Sequence, residues 1–210
     1  MRTHQDYLDK TFLEELNYKI WSTKGSRFHA STRLFKSSRL SNLCNSALSV
    51  YLIAIGLLSV YNIYKSDAID ANVIAYAITC LSILTLVFGQ IENAKDFNVK
   101  AREFHKCGLE LSEIYNELRI FKTLKENITL QQKEEFAIAL STKYQKILEK
   151  HENHENIDND LFKVAKPYYH GLSKWNVILI KGRYFIKYEF GYYLLIIVPP
   201  VILFCMIYFQ

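Results

Sequence analysis

What the chain has little of already narrows its fold class. Its 210 residues include only three prolines and seven glycines, which disfavours a loop-rich or all-β fold, because such folds need turn residues at short intervals. The four cysteines form no Cys-x-x-Cys pair and have no paired histidine spacing, so neither a structural zinc site nor a disulfide framework is expected. The first forty residues lack a central apolar core, so we expect no cleaved signal peptide.

Charge is absent from three long runs. Residues 43–64 and 71–91 carry no charged side chain, and at about 1.5 Å per helical residue each crosses a hydrocarbon core of roughly 30 Å. The short turn at residues 65–70 makes them antiparallel neighbours, a transmembrane hairpin. Residues 190–209 form the third run, where Pro199 and Pro200 are expected to break the hydrogen-bond ladder. This last helix either spans with a kink or is re-entrant, and the bases before it favour spanning.

Acidic residues are also absent between Leu16 and Ser66, whereas basic residues precede the first span and follow the second. Lysine and arginine are retained on the cytoplasmic side of a membrane. We therefore expect the N terminus and the region after residue 91 to be cytoplasmic, and the turn at 65–70 and the C terminus to lie outside.

The hairpin contains no intramembrane Asp, Glu, Lys, Arg or His, which disfavours a proton relay, a voltage sensor or an ion-coupled transporter. It does contain small and weakly polar residues, which allow helices to approach closely. We favour packing within the hairpin, and a self-association face that lines an oligomeric pore is the alternative. The candidate face consists of Ser46, Ser49, Gly56, Thr79, Ser82 and Gly89.

Basic residues accumulate before the first span. A juxtamembrane helix that holds lipid head groups is the favoured interpretation, and a site for an anionic ligand such as a nucleotide is the alternative. Residues 23–26 lack the glycine order of a phosphate loop. The candidate anionic patch is Lys24, Arg27, Arg33, Lys36 and Arg39.

Helical periodicity dominates the remaining regions. Residues 7–21 repeat apolar side chains every four residues, which predicts an amphipathic helix. The second span is expected to continue without a break into a rod with a heptad seam, which must pair with another helix in cis or in trans. Thr129 and Gln132 predict a capping box that opens a second helix, ending near Lys150, so that the two helices form a cytoplasmic hairpin. The candidate assembly seam is Phe97, Phe104, Leu111, Tyr115 and Leu118.

Two polar segments follow. Residues 151–160 include His151 and His154, but a solvated linker that opens a helix at Asp158 or Asp160 is favoured over a zinc site. Residues 168–188 interleave aromatic and basic side chains, as in a segment at the head-group level of a membrane.

Together these patterns predict an all-α membrane protein. Its transmembrane helical hairpin continues into a cytoplasmic helical hairpin or coiled coil, and a third hydrophobic helix follows at the C terminus. The predicted boundaries are 1–42 for the amphipathic and basic helices, 43–91 for the hairpin, 92–188 for the cytoplasmic region and 189–210 for the last helix. No arrangement of residues predicts a catalytic, metal or cofactor site, and the net charge of +5 needs no nucleic acid to explain it.

The chain resembles the SLATT family, two-transmembrane effector modules that associate with the nucleotide-signalling SMODS and SLOG proteins of bacterial conflict systems. The resemblance rests on WSTKGSRFHASTRL at residues 21–34, on the two close spans, and on AREFHKCGLELSEIYNELR at residues 101–119. Residues 144–158 are similar to a branch often encoded beside reverse transcriptases.

The resemblance implies an effector of the bacterial inner membrane. On a signal of phage infection it would oligomerise and form a pore or depolarise the membrane, which is abortive infection. It also implies a sensor partner, either a reverse transcriptase or a nucleotide-signalling protein. A non-conducting membrane scaffold, whose cytoplasmic rod recruits a partner protein, is the alternative function.

Overall fold

The computed structural model describes residues 11–60, 71–125 and 127–208. Over these residues the chain forms seven α-helices and no strand, which confirms the predicted all-α fold. The helices are α1 (Phe12–Val60), α2 (Ala71–Asn93), α3 (Phe97–Leu124), α4 (Leu130–Lys150), α5 (Asn156–Val164), α6 (Lys174–Tyr188) and α7 (Phe190–Tyr208).

The chain divides into two compact units. We call residues Met1–Phe35 and Asn98–Tyr184 the head unit, and residues Lys36–Phe97 and Phe185–Gln210 the membrane unit. Among the described helices, α1 and the helical run that α2 begins are long and apolar enough to cross a membrane. The bent pair of α6 and α7 adds a third span if it is counted as one. These findings agree with the predicted membrane helices.

Helix α1 is one uninterrupted helix of 49 residues. The sequence predicted separate amphipathic, juxtamembrane and transmembrane helices over the same stretch. Residues 12–60 contain no proline, and their only glycines are Gly25 and Gly56. The sequence therefore has no strong signal that would end a helix within this stretch. The turn predicted at residues 65–70 lies outside the described residues.

The core of the head unit is formed by α1, α3 and α4. Leu16 and Ile20 of α1 pack against Leu111 and Leu118 of α3 and against Leu140 of α4. The heptad seam of α3 is therefore paired in cis. The capping box at Thr129 is confirmed, because its hydroxyl accepts a hydrogen bond from the N–H of Gln132 while the Gln132 side chain accepts one from the N–H of Thr129.

The structure corrects two helix boundaries. The helix that follows the second span is not continuous, because α2 ends at Asn93 and α3 begins at Phe97, with Asp96 at a left-handed φ of 49°. Helix α5 begins at Asn156 rather than at Asp158 or Asp160. The earlier start follows from the Asp158 carboxylate, which accepts a hydrogen bond of 3.0 Å from the N–H of Glu155.

Candidate functional site

The apolar faces of α1 and α2 in the membrane unit are largely uncovered by protein. Ile53 of α1 is 62% exposed and Leu86 of α2 is 66% exposed. Only 6% of the apolar stretch that α2 begins is buried inside the protein. Each exposed square ångström of such surface costs about 25 cal/mol in water. Lipid, or another apolar surface, must therefore cover these helices.

The candidate pore or packing face is divided by the way α1 and α2 pack. Ser82 and Gly89 are half-buried, and a Cβ atom at Gly89 would lie 3.4 Å from the Asn45 side chain of α1. Gly89 therefore serves packing within the hairpin. By contrast Ser46, Ser49 and Thr79 are exposed, and a Cβ at half-buried Gly56 would meet nothing within 4 Å.

Three hydroxyl groups on this face are satisfied within their own helices. Ser49 donates to the carbonyl of Asn45 at 2.9 Å, and Thr79 donates to the carbonyl of Ala75 at 2.8 Å. Ser82 donates in the same way to Ile78 at 2.7 Å. A hydroxyl that donates its hydrogen bond to a carbonyl of the preceding helical turn leaves no unpaired donor in hydrocarbon. The exposed part of the face is thus compatible with lipid and with a second copy of the chain.

A buried carboxylate joins three helices at one end of the α2 span. Glu92 of α2 is 8% exposed, and it accepts hydrogen bonds from Tyr192 of α7 at 2.6 Å and from Lys95 at 2.5 Å. The Ser41 side chain of α1 also hydrogen-bonds to it. We call Glu92, Tyr192, Ser41 and Lys95 the Glu92 clamp. A charged acceptor that bonds to several donors holds them more strongly than a neutral one.

A second polar contact fastens α7 to α1 deeper in the apolar stretch. Pro199 and Pro200 lie inside α7, which stays helical through them, so the predicted break is confined to the hydrogen-bond ladder. Pro200 has no N–H and leaves the carbonyl of Ile196 without its helical donor. The hydroxyl of Tyr51 donates to that carbonyl at 2.6 Å. A neighbouring helix therefore replaces the hydrogen bond that the proline removes, as the membrane interior requires.

The membrane unit contains one more buried acid, at the start of α7. Glu189 is 5% exposed and its carboxylate lies 2.5 Å from the ammonium group of Lys36 on α1. Lys36 of the candidate anionic patch is thus paired within the protein. Arg39, from the same patch, is exposed.

The other basic residues of the patch belong to the head unit, where two of them are buried. Arg33 is 5% exposed and forms a two-pronged ion pair with Asp158, Nε to Oδ1 at 2.8 Å and Nη2 to Oδ2 at 3.0 Å. Its third nitrogen lies 3.0 Å from a carboxylate oxygen of Glu155. Asp158 is fully buried. This arrangement fastens α1 to the first turn of α5 and leaves Arg33 unavailable to an external anion.

Arg27 is likewise enclosed, with no exposed surface. Its guanidinium donates to the carbonyl of Glu152 and to the side chain of Asn153, and it lies over the ring of Phe104. Burial lowers the pKa of this guanidinium. Lys24 differs, because it is half-buried with its ammonium 4.1 Å from the centre of the Tyr115 ring.

The candidate assembly seam is mostly covered within the head unit. Phe104, Leu111 and Leu118 are buried, and Tyr115 is half-buried beneath Lys24. Phe97, which belongs to the membrane unit, is half-buried too. A partner that used the seam would first have to displace α1 and α4.

The polar segment after α4 does not bring metal ligands together. Among the described residues, no group of three or more His, Cys, Asp or Glu side chains has metal-binding geometry. His151 instead lies 3.2 Å from the Glu110 carboxylate. His154 is half-buried near Arg27 and Asp158, and its burial lowers its pKa.

The chain matches a known family over nearly its whole length. The model of the SMODS and SLOG-associating 2TM effector domain family 5 matches residues 9–206, nearly the whole chain. The chain belongs to this family. The match confirms the resemblance to the SLATT family and places the protein in a membrane as an effector, and the family description names no reaction. No curated protein and no solved structure matches the chain.

Sequence reasoning missed the residues that hold this effector's helices together. Glu92 and Glu189 were overlooked because each lies just outside an uncharged run, where acids carry little weight for topology. Their position beside a span, among bases, is the signal that could have identified them. Tyr51 gave no such signal, because its role depends on a proline 149 residues further along the chain.

Proposed function

We propose that this protein is the effector of a bacterial anti-phage system, and that when triggered it oligomerises in the inner membrane and depolarises it. The arrested or dead cell then releases no phage. Membership of a 2TM effector family supports the class of function. The proposed trigger is a sensor partner, a nucleotide-signalling protein or a reverse transcriptase of the associated branch.

One observation carries the proposal for pore formation. On α1, Ser46 and Ser49 are exposed, and among the described residues a Cβ at half-buried Gly56 would meet nothing within 4 Å. Thr79 adds a comparable position on α2. Small residues on a lipid-exposed face let helices of different copies approach closely. A single hairpin without charge encloses no conduit, so conduction requires several copies.

The test is dye-reported membrane potential in bacteria that express the full chain together with its genomic neighbour. Replacing Ser49 or Thr79 by Leu should abolish depolarisation, because the larger side chain keeps copies apart. Val50→Leu is the matched control, because Val50 is 60% exposed on the same helix but is not small. Cells that stay polarised while a functional system arrests growth would contradict the proposal.

The alternative, a non-conducting scaffold, is favoured by one feature of the head unit. A groove of about 860 Å³ lies between the start of α1 and the turn from α3 to α4, and its lining is apolar apart from Thr11, Asn127, the bases Lys122, Lys125 and Lys133 and the acids Glu14 and Glu134. Because Lys122 pairs with Glu14, an amphipathic partner segment would fit it if its acids faced Lys125 and Lys133. Replacing Lys125 and Lys133 by Glu would then prevent co-purification of the partner, whereas Ser49→Leu would not.

A further inference from the structure

Helix α6 exposes an apolar face that the described part of the chain does not cover. Trp175, Ile178 and Leu179 are spaced three and four residues apart, so they lie on one side of the helix. They are 74%, 58% and 66% exposed, respectively. On the opposite side Val177 and Ile180 are half-buried. The helix therefore has a half-buried apolar side and a second apolar side that is exposed.

Basic residues border the outward face on both sides. At 100° per residue, Lys174 and Lys181 lie along one edge of the face, and Arg183 lies along the other. Residues 174–188 include no Asp or Glu. An apolar stripe with Trp at its centre and cations along its edges is the pattern of a helix that lies in the interface of a bilayer.

We infer that the outward face of α6 lies on the surface of an anionic phospholipid bilayer, with Trp175, Ile178 and Leu179 among the upper acyl chains and the bases against the lipid phosphates. The inference goes beyond pore formation and does not depend on it. The chain passes from α6 through Glu189 directly into α7, an apolar helix of lipid-spanning composition. The surface is therefore continuous in sequence with a membrane-embedded segment.

Charge argues against a second copy as the occupant of this face. In a two-fold contact the same face would meet itself, and Lys174, Lys181 and Arg183 would approach the identical bases of the other copy. No acid on α6 would neutralise them. Lipid phosphates supply the opposite charge at the depth where the lysine and arginine side chains reach the head groups.

The two tryptophans of the chain allow a direct test with the full-length protein. In Trp21→Phe the only tryptophan left is Trp175, and the protein is reconstituted into bilayers of phosphatidylcholine and phosphatidylglycerol that carry brominated lipids. We expect Trp175 to lose most of its emission when the bromine lies near the head group, and much less when it lies at the end of the acyl chain.

Trp175→Phe is the matched control, because it leaves Trp21, whose ring packs edge-on against Phe162 with centroids 4.7 Å apart. Its emission should change little with either lipid. If Trp21→Phe folds poorly, the wild-type signal minus that of Trp175→Phe gives the same quantity. Quenching of Trp175 by aqueous acrylamide but not by brominated lipid would overturn the inference, and so would protection from both quenchers, which a protein partner would produce.

A further variant tests whether the basic residues bind the anionic lipid. Replacing Lys181 and Arg183 by Gln should weaken the quenching of Trp175 in anionic bilayers and leave it unchanged in bilayers of phosphatidylcholine alone. Equal quenching of the two proteins in both membranes would show that the bases do not bind the lipid, and it would overturn that part of the inference.

Discussion

The hydroxyl of Tyr51 donates a hydrogen bond of 2.6 Å to the carbonyl of Ile196, the group that Pro200 deprives of its helical donor. Tyr51→Phe leaves this carbonyl unpaired in an apolar environment. We expect a loss of about 1 kcal/mol in the stability of the protein in detergent, the usual size of such a bond between membrane helices. Thermal unfolding followed by circular dichroism measures it.

A double-mutant cycle tests the cause. Pro200→Ala restores the missing N–H, so Tyr51→Phe should cost clearly less in that background. Pro199→Ala is the matched control, because Pro199 frees a different carbonyl, and the full cost of Tyr51→Phe should remain. An equal cost in all three backgrounds would exclude the proposed pairing.

The Glu92 clamp should restrain α7 in the resting protein. Glu92→Ala leaves the Tyr192 hydroxyl and the Ser41 side chain without their charged acceptor, at a cost of about 2 kcal/mol. We expect a lower unfolding temperature and a higher resting leak of dye from proteoliposomes. Glu92→Gln keeps an acceptor and should be milder, and the exposed neighbour Asn93→Ala should match the wild type.

The buried pair of Arg33 and Asp158 should tolerate joint replacement better than single replacement. Arg33→Met leaves a fully buried carboxylate without its fork of donors, which costs about 3–5 kcal/mol. The double variant Arg33→Met with Asp158→Leu removes both charges and should recover much of that loss. Lys143→Met, in an exposed pair with Glu117, should cost less than about 1 kcal/mol. Urea unfolding followed by Trp21 fluorescence, with each variant made in the Trp175→Phe background, gives all three values.

Two glycines of the head unit serve packing. A Cβ atom at Gly25 would lie 2.1 Å from the Phe162 ring, and one at Gly108 would lie 2.8 Å from the Phe28 ring. Gly25→Ala and Gly108→Ala should therefore destabilise the protein, although alanine favours a helix by about 1 kcal/mol. Gly56→Ala meets nothing within 4 Å and should be neutral or stabilising. Unchanged unfolding temperatures for the first two would contradict this packing.

Acid should destabilise the head unit through His154. Burial and the nearby charge of Arg27 lower the pKa of His154, and Asp158 opposes the shift only in part. The unfolded chain therefore binds more protons than the folded one, and stability falls as the pH drops below about 6.5. His154→Gln should flatten this dependence in urea unfolding at several pH values, and an unchanged dependence in that variant would contradict the prediction.

The sequence by itself determined the helical fold class and the membrane-crossing runs. These rest on local properties, namely the length of an uncharged run, helical periodicity and the capping residues at Thr129. Each of these properties can be recognised from a stretch of about twenty residues, the length of one membrane span. The head-unit hairpin of α3 and α4 could be predicted for the same reason.

Only the tertiary structure decided how the polar residues are used. From the sequence, Arg27 and Arg33 were indistinguishable from Arg39, yet the first two are buried with protein partners and the third is exposed. The partner of Arg33 lies 125 residues away, and that of Tyr51 lies 145 residues away. The role of a buried charge or hydroxyl depends on which group the fold brings opposite it. No local sequence pattern contains that information.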